Sequence, residues 1–350
     1  MNLEQLGLNE DFAQEFKQYE MEGFSVGRIA LEHKRMYRVF CEEGELLAEV
    51  SGKFRFGAAG REEYPSVGDW VVIAARPEEG KATIHAVLPR FSKFSRKIAG
   101  RTTEEQIVAA NVNTVFLVNA LNNDFNLRRI ERYLIMAWES GATPIIVLSK
   151  ADLCEDVDAK LADVESVAFG VPTYVVSSIE NKGLEPLHQY LQPGQTVALL
   201  GSSGAGKSTL TNYFIGNEKQ IVQEVREGDD RGKHTTTHRE LVMIPNGGLI
   251  IDTPGMRELQ LWESDDASEQ VFHDIHELEE QCRFTDCKHQ SEPGCAVKNA
   301  IAEGTLSQGR YDSFLKLQKE LAYLERKADI RAQLAEKEKW KKISMFAKKR

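Results

Sequence analysis

No apolar run in the 350 residues approaches the roughly 20 that a membrane-crossing helix needs, so no membrane partner is expected. The start, Met1-Asn2-Leu3-Glu4-Gln5, lacks a basic segment followed by an apolar one, and a secretory signal is not expected either. Cysteine is scarce and odd in number: Cys41, Cys154, Cys282, Cys287 and Cys295. Three of the five crowd into one short stretch, which fits a reducing, cytoplasmic setting with a metal site better than a disulfide framework. Cys41 and Cys154 stand alone in apolar surroundings and read as inert core thiols. Internal repeats and low-complexity segments are missing. So is an excess of positive charge: the formal net charge is −10. That charge is unevenly spread, because Lys316 to Arg350 holds 12 lysines and arginines against 5 acids, a local balance of +7. A basic tail of this kind suits a polyanionic partner, although a solvated helix end gives the same composition.

The patterning that is present divides the chain into four parts. Residues 1–22 form a helical extension with Leu3, Leu6, Phe12 and Phe16 as its apolar positions. Residues 23–92 carry five short alternating strands separated by glycine turns, which points to a small barrel of the OB type; periodicity alone does not separate it from an SH3-like barrel. Phe91 to Thr103 is a basic, polar joint. In residues 104–262 strands alternate with helices, at Val112–Val118, Leu127–Trp138, Pro144–Leu148, Val157–Phe169, Thr173–Val176 and Gln195–Leu200, with a hairpin at Glu240–Ile251. This rhythm predicts a doubly wound, mostly parallel sheet with its ligand beyond the carboxyl ends of the strands. Residues 263–350 are helical and charged apart from a knot of cysteine and histidine.

Gly201-Ser202-Ser203-Gly204-Ala205-Gly206-Lys207-Ser208 fits G-x-x-x-x-G-K-[ST] between a strand and a helix, and Thr209 directly after it is expected to bind nucleotide as well. The glycines allow backbone N–H groups to turn onto phosphates, Lys207 supplies a point charge, and the Ser208 hydroxyl suits Mg²⁺. Asp252 ends the strand before Thr253-Pro254-Gly255, where it can hold the Mg²⁺ shell through water while the Gly255 N–H meets the γ-phosphate. Between these motifs lies Gly228 to Thr237, a polar stretch that reads as a switch, with Thr236 as the Mg²⁺-closing threonine and Thr235 second. Many GTPases place a water-orienting glutamine directly after Asp-x-x-Gly. Here that position is Met256, so slow intrinsic turnover is expected, with His234 as the best internal substitute and His238 second.

Ser149-Lys150-Ala151-Asp152 follows a strand, and Ser177-Ser178 follows the next. An aspartate here accepts two hydrogens from a guanine edge, the lysine packs along the base, and a small residue in the second loop meets the guanine carbonyl. Adenine would leave the Asp152 carboxylate unpaired, so GTP and GDP are the expected ligands rather than ATP. The base motif precedes the phosphate loop, which is the order of circularly permuted GTPases. The second switch, Asp252 to Met256, then leads straight into the C-terminal part, and the nucleotide state is expected to be transmitted there.

Cys282-x₄-Cys287-x-His289-x₅-Cys295 supplies three thiols and one imidazole within 14 residues, a closed set for structural Zn²⁺. A barrel, a permuted G domain and this knot together resemble the ribosome small-subunit-dependent GTPase family. Arg231 to Thr237 looks like that family's switch, and Phe91 to Arg96 like its joint. The resemblance implies a monomeric bacterial maturation factor that docks on the small ribosomal subunit and its rRNA late in assembly, with hydrolysis stimulated by the subunit; it also supports His234. Two departures stand out: Ser149 where the family usually has asparagine, and Lys233 inserted before His234. Arg28, Arg55, Arg61, Lys93, Arg96 and the tail are the expected phosphate contacts to RNA. Two other classes compete: a permuted GTPase of trafficking or signalling, and a nucleotide-gated RNA-binding module that no longer hydrolyses.

Overall fold

The computed structural model describes residues 1–33, 35–98, 104–216, 239–252, 265–290 and 292–323, and they fall into two units, Met1–Gln260 and Leu261–Arg350. In the first unit Asn9 caps helix α1 (Glu10–Glu20) by accepting the Phe12 N–H at 3.0 Å. Phe12 and Phe16 are its buried positions, and Phe12 meets Trp70 with ring centroids 5.9 Å apart. The apolar stripe of the extension therefore covers one outer face of the barrel.

The barrel consists of β1 (Ser25–His33), β2 (Met36–Cys41), β3 (Gly44–Val50), β4 (Trp70–Arg76) and β5 (Lys81–Val87). A short helix, α2 (Gly52–Gly57), follows β3 and is capped by Ser51, whose hydroxyl accepts the Phe54 N–H at 3.0 Å. The hydrogen-bonded order is β1-β2-β3-β5-β4, and β4 returns to β1 to close it. The β3–β5 pairing is parallel while the others are antiparallel. That closure is the OB topology and decides the question periodicity left open. Its interior is filled by Ile29, Tyr37, Val39, Leu46, Val71 and Ile84. Cys41 is buried there as expected, but Cys154 is only half-buried in a loop.

The basic joint proves to hold structure. β6 (Lys93–Ile98) and β7 (Glu104–Ala110) form an antiparallel hairpin of their own. The density of charge in this stretch masked its alternation, in which Phe94 is buried next to the exposed Lys93.

Beyond the hairpin come β8 (Thr114–Ala120), α3 (Leu127–Ser140), β9 (Thr143–Ser149), α4 (Val157–Glu165), β10 (Thr173–Val175), β11 (Thr196–Gly201), α5 (Lys207–Ile215), β12 (Glu240–Met243) and β13 (Leu249–Asp252). Helix α4 ends four residues before the expected Phe169, with Ser166 as its C-cap. Gly141, at φ +84°, closes α3 in the left-handed conformation. The sheet order is β10-β9-β8-β11-β13-β12, parallel except for β12. Phe116, Val118, Val147, Val197, Leu199 and Ile250 form its buried core. Because the strands run parallel, the carboxyl ends of β8, β9, β10, β11 and β13 all lie at one edge, which is where a ligand of such a sheet binds.

Arg28, expected at an RNA surface, is instead one of the largest fully buried side chains. Its Nε donates to the Gly68 carbonyl at 3.1 Å, Nη2 to Asn111 at 2.9 Å, and Nη1 to Leu6. Three separate segments are thus tied through one guanidinium: the extension, the β4 turn and the chain leaving β7. Burial lowers its pKa to about 9, which leaves it charged at neutral pH. The neighbouring Asp69 is wholly buried too and is held by Arg90 through two bonds of 2.7 Å. Removing one member of a buried polar network leaves its partners unsatisfied. Arg28→Met is therefore expected to cost the first unit about 3 kcal/mol in urea unfolding, against less than about 0.5 kcal/mol for a surface control such as Lys53→Met.

Candidate guanine-nucleotide site and metal centre

Strand β11 delivers the phosphate loop. Gly201 lies so close to β8 that a Cβ there would sit 2.3 Å from the Val118 carbonyl oxygen, so the sheet centre admits only glycine. Gly206 takes φ +93° and opens α5 without any side-chain cap. The first N–H groups of that helix are left for an anion, as the motif requires. Lys207 Nζ donates to the carbonyls of Gly201 at 2.6 Å and Ser202 at 2.7 Å, which holds the ammonium against the loop. Ala205 is buried, while Ser203, Ser208 and Thr209 are exposed.

The base-motif residues stand at the ends of β9 and β10. Lys150 adopts the left-handed conformation at φ +59°, a turn that carries the chain from β9 into the short 3₁₀ segment Ala151–Leu153. The Ala151 N–H donates to Val176 at 3.1 Å and ties this loop to the one after β10. Ser177 Oγ donates to Asp152 Oδ1 at 2.6 Å, so the aspartate is oriented by the second loop, and Ser178 is half-buried beside it. Ser149 is buried, and its hydroxyl donates to the Ala205 carbonyl at 2.6 Å. A serine in place of asparagine is the kind of change that should loosen the loop; its short hydroxyl instead reaches the phosphate loop directly. The two motifs, 56 positions apart in sequence at this contact, become one hydrogen-bonded surface.

Asp252 ends β13, and its backbone pairs with Glu240. Residues 217–238, with His234 and Thr236, and 253–264, with Gly255 and Met256, lie outside the described residues. So does the tail from residue 324 onward.

Sequence reasoning missed Asp124. It stands in the loop after β8, where its carboxylate accepts from Ser202 Oγ at 2.5 Å and from Arg129 at 2.7 and 3.1 Å. Arg129 first, and then the Ser202 hydroxyl, hold its pKa below the usual carboxylate value. The clue was topological: the loop follows a parallel strand beside β11, so it had to emerge next to the phosphate loop.

The second unit holds α6 (Asp265–Val271), α7 (His273–Glu280) and α8 (Ala296–Glu303). Between the last two, the ligand atoms of Cys282, Cys287, His289 and Cys295 all lie within 4.8 Å of one another. Cys282 and Cys295 Sγ are 3.9 Å apart, and His289 Nδ1 is 3.6 and 3.4 Å from them. A tetrahedral ion with ordinary zinc bond lengths needs edges of ~3.8 Å between sulfurs and ~3.5 Å between sulfur and nitrogen, so the set fits such an ion. The other imidazole nitrogen, His289 Nε2, faces Glu279 Oε1 at 3.1 Å. This carboxylate fixes which nitrogen points at the thiols, and it too was missed in the sequence.

In the barrel a cavity of about 510 Å³ is lined by Glu32, Arg35, Arg55, Arg61, Tyr37 and Tyr64 among others. Arg55 and Arg61 are exposed, Lys93 pairs with Glu105 at 2.9 Å, and Arg96 bonds Gln106 at 2.9 Å. Arg28 contributes nothing to that surface.

The RsgA GTPase family profile matches residues 87–262. The chain belongs to the RsgA GTPase family. It is 49% identical over 325 residues, 93% of each chain, to "Small ribosomal subunit biogenesis GTPase RsgA 1" of Oceanobacillus iheyensis. Among solved structures, YjeQ from Thermotoga maritima superposes with a TM-score of 0.62 at 29% identity, covering 85% of this chain and 99% of that one. YloQ, described as a circularly permuted GTPase, gives 0.60 at 26% identity over 85% and 95% of the two chains. The permuted order of motifs agrees with the description of YloQ, and membership of a GTPase family implies GTP, GDP and Mg²⁺ as ligands.

Ser149 makes the most direct bridge between the two nucleotide motifs. Ser149→Ala strands the Ala205 carbonyl and is expected to destabilise the first unit by about 1–2 kcal/mol, measured as a lower urea midpoint at unchanged slope.

Proposed function

We propose that this chain is a GTP hydrolase of the cytoplasm that acts, as a monomer, on the small ribosomal subunit and its rRNA during late maturation. The observation that carries the reading is the joined surface at the sheet edge, where the Ser149–Ala205 and Ser177–Asp152 bonds set a guanine-type loop against a phosphate loop. The names of its relatives supply the ribosomal setting. No helix among the described residues is long and apolar enough to cross a membrane.

In this reading Asp152 accepts the guanine N–H groups, Lys150 packs along the base, and Ser177 and Ser178 border its carbonyl. Gly201 to Thr209 wrap the phosphates, and Lys207 neutralises charge as it builds on the transferring group. Ser208 and Thr236 would hold Mg²⁺, with Asp252 behind and Gly255 at the γ-phosphate. The ion, when bound, would supply charge neutralisation for the phosphates. His234 orients the attacking water, since Met256 has no group that could. The Cys₃His cluster holds zinc as a structural ion, with Glu279 orienting His289.

Division of labour follows the four parts: the extension at 1–22, the barrel at 23–92, the GTPase at 104–262, and the zinc-binding region with its basic tail at 263–350. Arg55 and Arg61, beside Tyr64 and the barrel cavity, offer charge and stacking to RNA. The tail adds a second basic element.

The deciding measurement is phosphate release from GTP with and without purified small ribosomal subunits, with large subunits and ATP as controls. Stimulation by small subunits alone, confined to GTP and lost in His234→Ala without loss of GTP binding, is the expected result. GTP turnover indifferent to ribosomes would move the protein to trafficking or signalling, and nucleotide binding without turnover would make it a gated RNA-binding module. Metal removal gives a separate check. A strong zinc chelator should release one equivalent of zinc and lower the thermal midpoint of the second unit, with recovery on re-addition.

A further inference from the structure

We propose that Asp124 is a positioning residue of the phosphate loop, holding Lys207 in place through Ser202. The inference deepens the guanine-nucleotide reading above and rests on it. A continuous chain of contacts leads from helix α3 to the phosphate-binding ammonium. Arg129 grips the Asp124 carboxylate with two bonds, Asp124 accepts the Ser202 hydroxyl at 2.5 Å, and the Ser202 carbonyl accepts Lys207 Nζ at 2.7 Å. The Gly201 carbonyl provides the second acceptor for that ammonium at 2.6 Å.

The base of this chain is rigid. Arg129 lies in the first turn of α3, where its own backbone N–H is bound by the Asn126 cap at 3.2 Å. Its Nη1 also reaches the Asp124 carbonyl at 3.2 Å, so loop backbone and carboxylate are fixed together.

A carboxylate beside a polyphosphate site carries the wrong charge for the ligand, which needs a physical answer. Arg129 supplies it. The bidentate pair cancels the charge toward the ligand yet leaves a strong acceptor for Ser202. Asp124 is also 42% exposed at its side chain and belongs to no apolar core. Its hydrogen bonds therefore hold the loop's shape more than the fold's stability. A hydroxyl held by an ionised acceptor is worth more than one held by a neutral group, and it fixes the Ser202 peptide whose carbonyl steadies Lys207.

The test compares GDP with guanosine as ligands for Asp124→Ala, Ser202→Ala and the double variant in the full-length protein, by displacement of a fluorescent GDP. Guanosine uses the base loops alone, whereas GDP also needs the phosphate loop. Each single variant should weaken GDP about tenfold and leave guanosine within twofold. The double variant should be no weaker than either single, because both break the same link. Asp124→Asn, which keeps an oxygen facing Ser202 but loses the ion pair, should fall between Asp124→Ala and the parent. GDP affinity within twofold of the parent in Asp124→Ala, additive losses in the double variant, or equal loss of GDP and guanosine would each overturn the proposal. A parent protein that binds neither ligand would overturn the guanine reading along with it, so the two failures are told apart by the parent's own titration.

Discussion

Strand β11 is hydrogen-bonded on both sides, to β8 and to β13, and its six residues are all buried. Everything at the nucleotide edge takes its position from that strand. The chain leaves it at Gly201, pressed against the Val118 carbonyl, so the phosphate loop can start from only one place and in one direction. The neighbouring strands run parallel to it, and their following loops are delivered to the same edge without any need for closeness in sequence. That is why the base motif can precede the phosphate loop. The permutation changes which strand ends are joined and leaves the edge itself intact.

Much of this was legible in advance because it rests on local rules. The phosphate loop is written in residue types that only a tight, glycine-rich turn ahead of a helix requires, and Gly206 at φ +93° uses that freedom. The Cys/His spacing was likewise legible, since four strong ligands within 14 residues can reach a common centre with only a short loop folded between them. The alternation of short strands gave a barrel but not its closure. The parallel pairing of β3 with β5, on which the topology turns, joins segments that no local pattern relates.

The residues that escaped are those whose roles depend on distant chain. Arg28 lies on the outer face of β1, as its alternation with Ile29 implies, and an arginine there reads as solvent-facing. The extension and the chain near Asn111 cover that face and turn the arginine into an interior tie. The extension, which had no evident purpose in the sequence, thereby acquires one: it meets the barrel through Leu6 and the sheet domain through the Gly194 N–H, which donates to the Gln5 carbonyl at 3.1 Å. Asp124 and Glu279 escaped for a similar reason. Each is an ordinary acid in sequence, and each matters only for what it orients.

The barrel strand β1 also meets β12 at a single antiparallel contact, Leu31 opposite Glu240, reinforced by a 2.8 Å ion pair from Arg38 to Glu240. One eleven-stranded sheet therefore runs from β10 through the sheet domain into a barrel that closes on itself. An open sheet ordinarily has two edges at which a foreign strand can dock and seed aggregation. Here the closed barrel occupies one of them. The other is β10, three residues long, too short to template much pairing. The eleven-stranded sheet thus offers another chain little to extend at its β10 end, and at its other end the strands curl back on themselves.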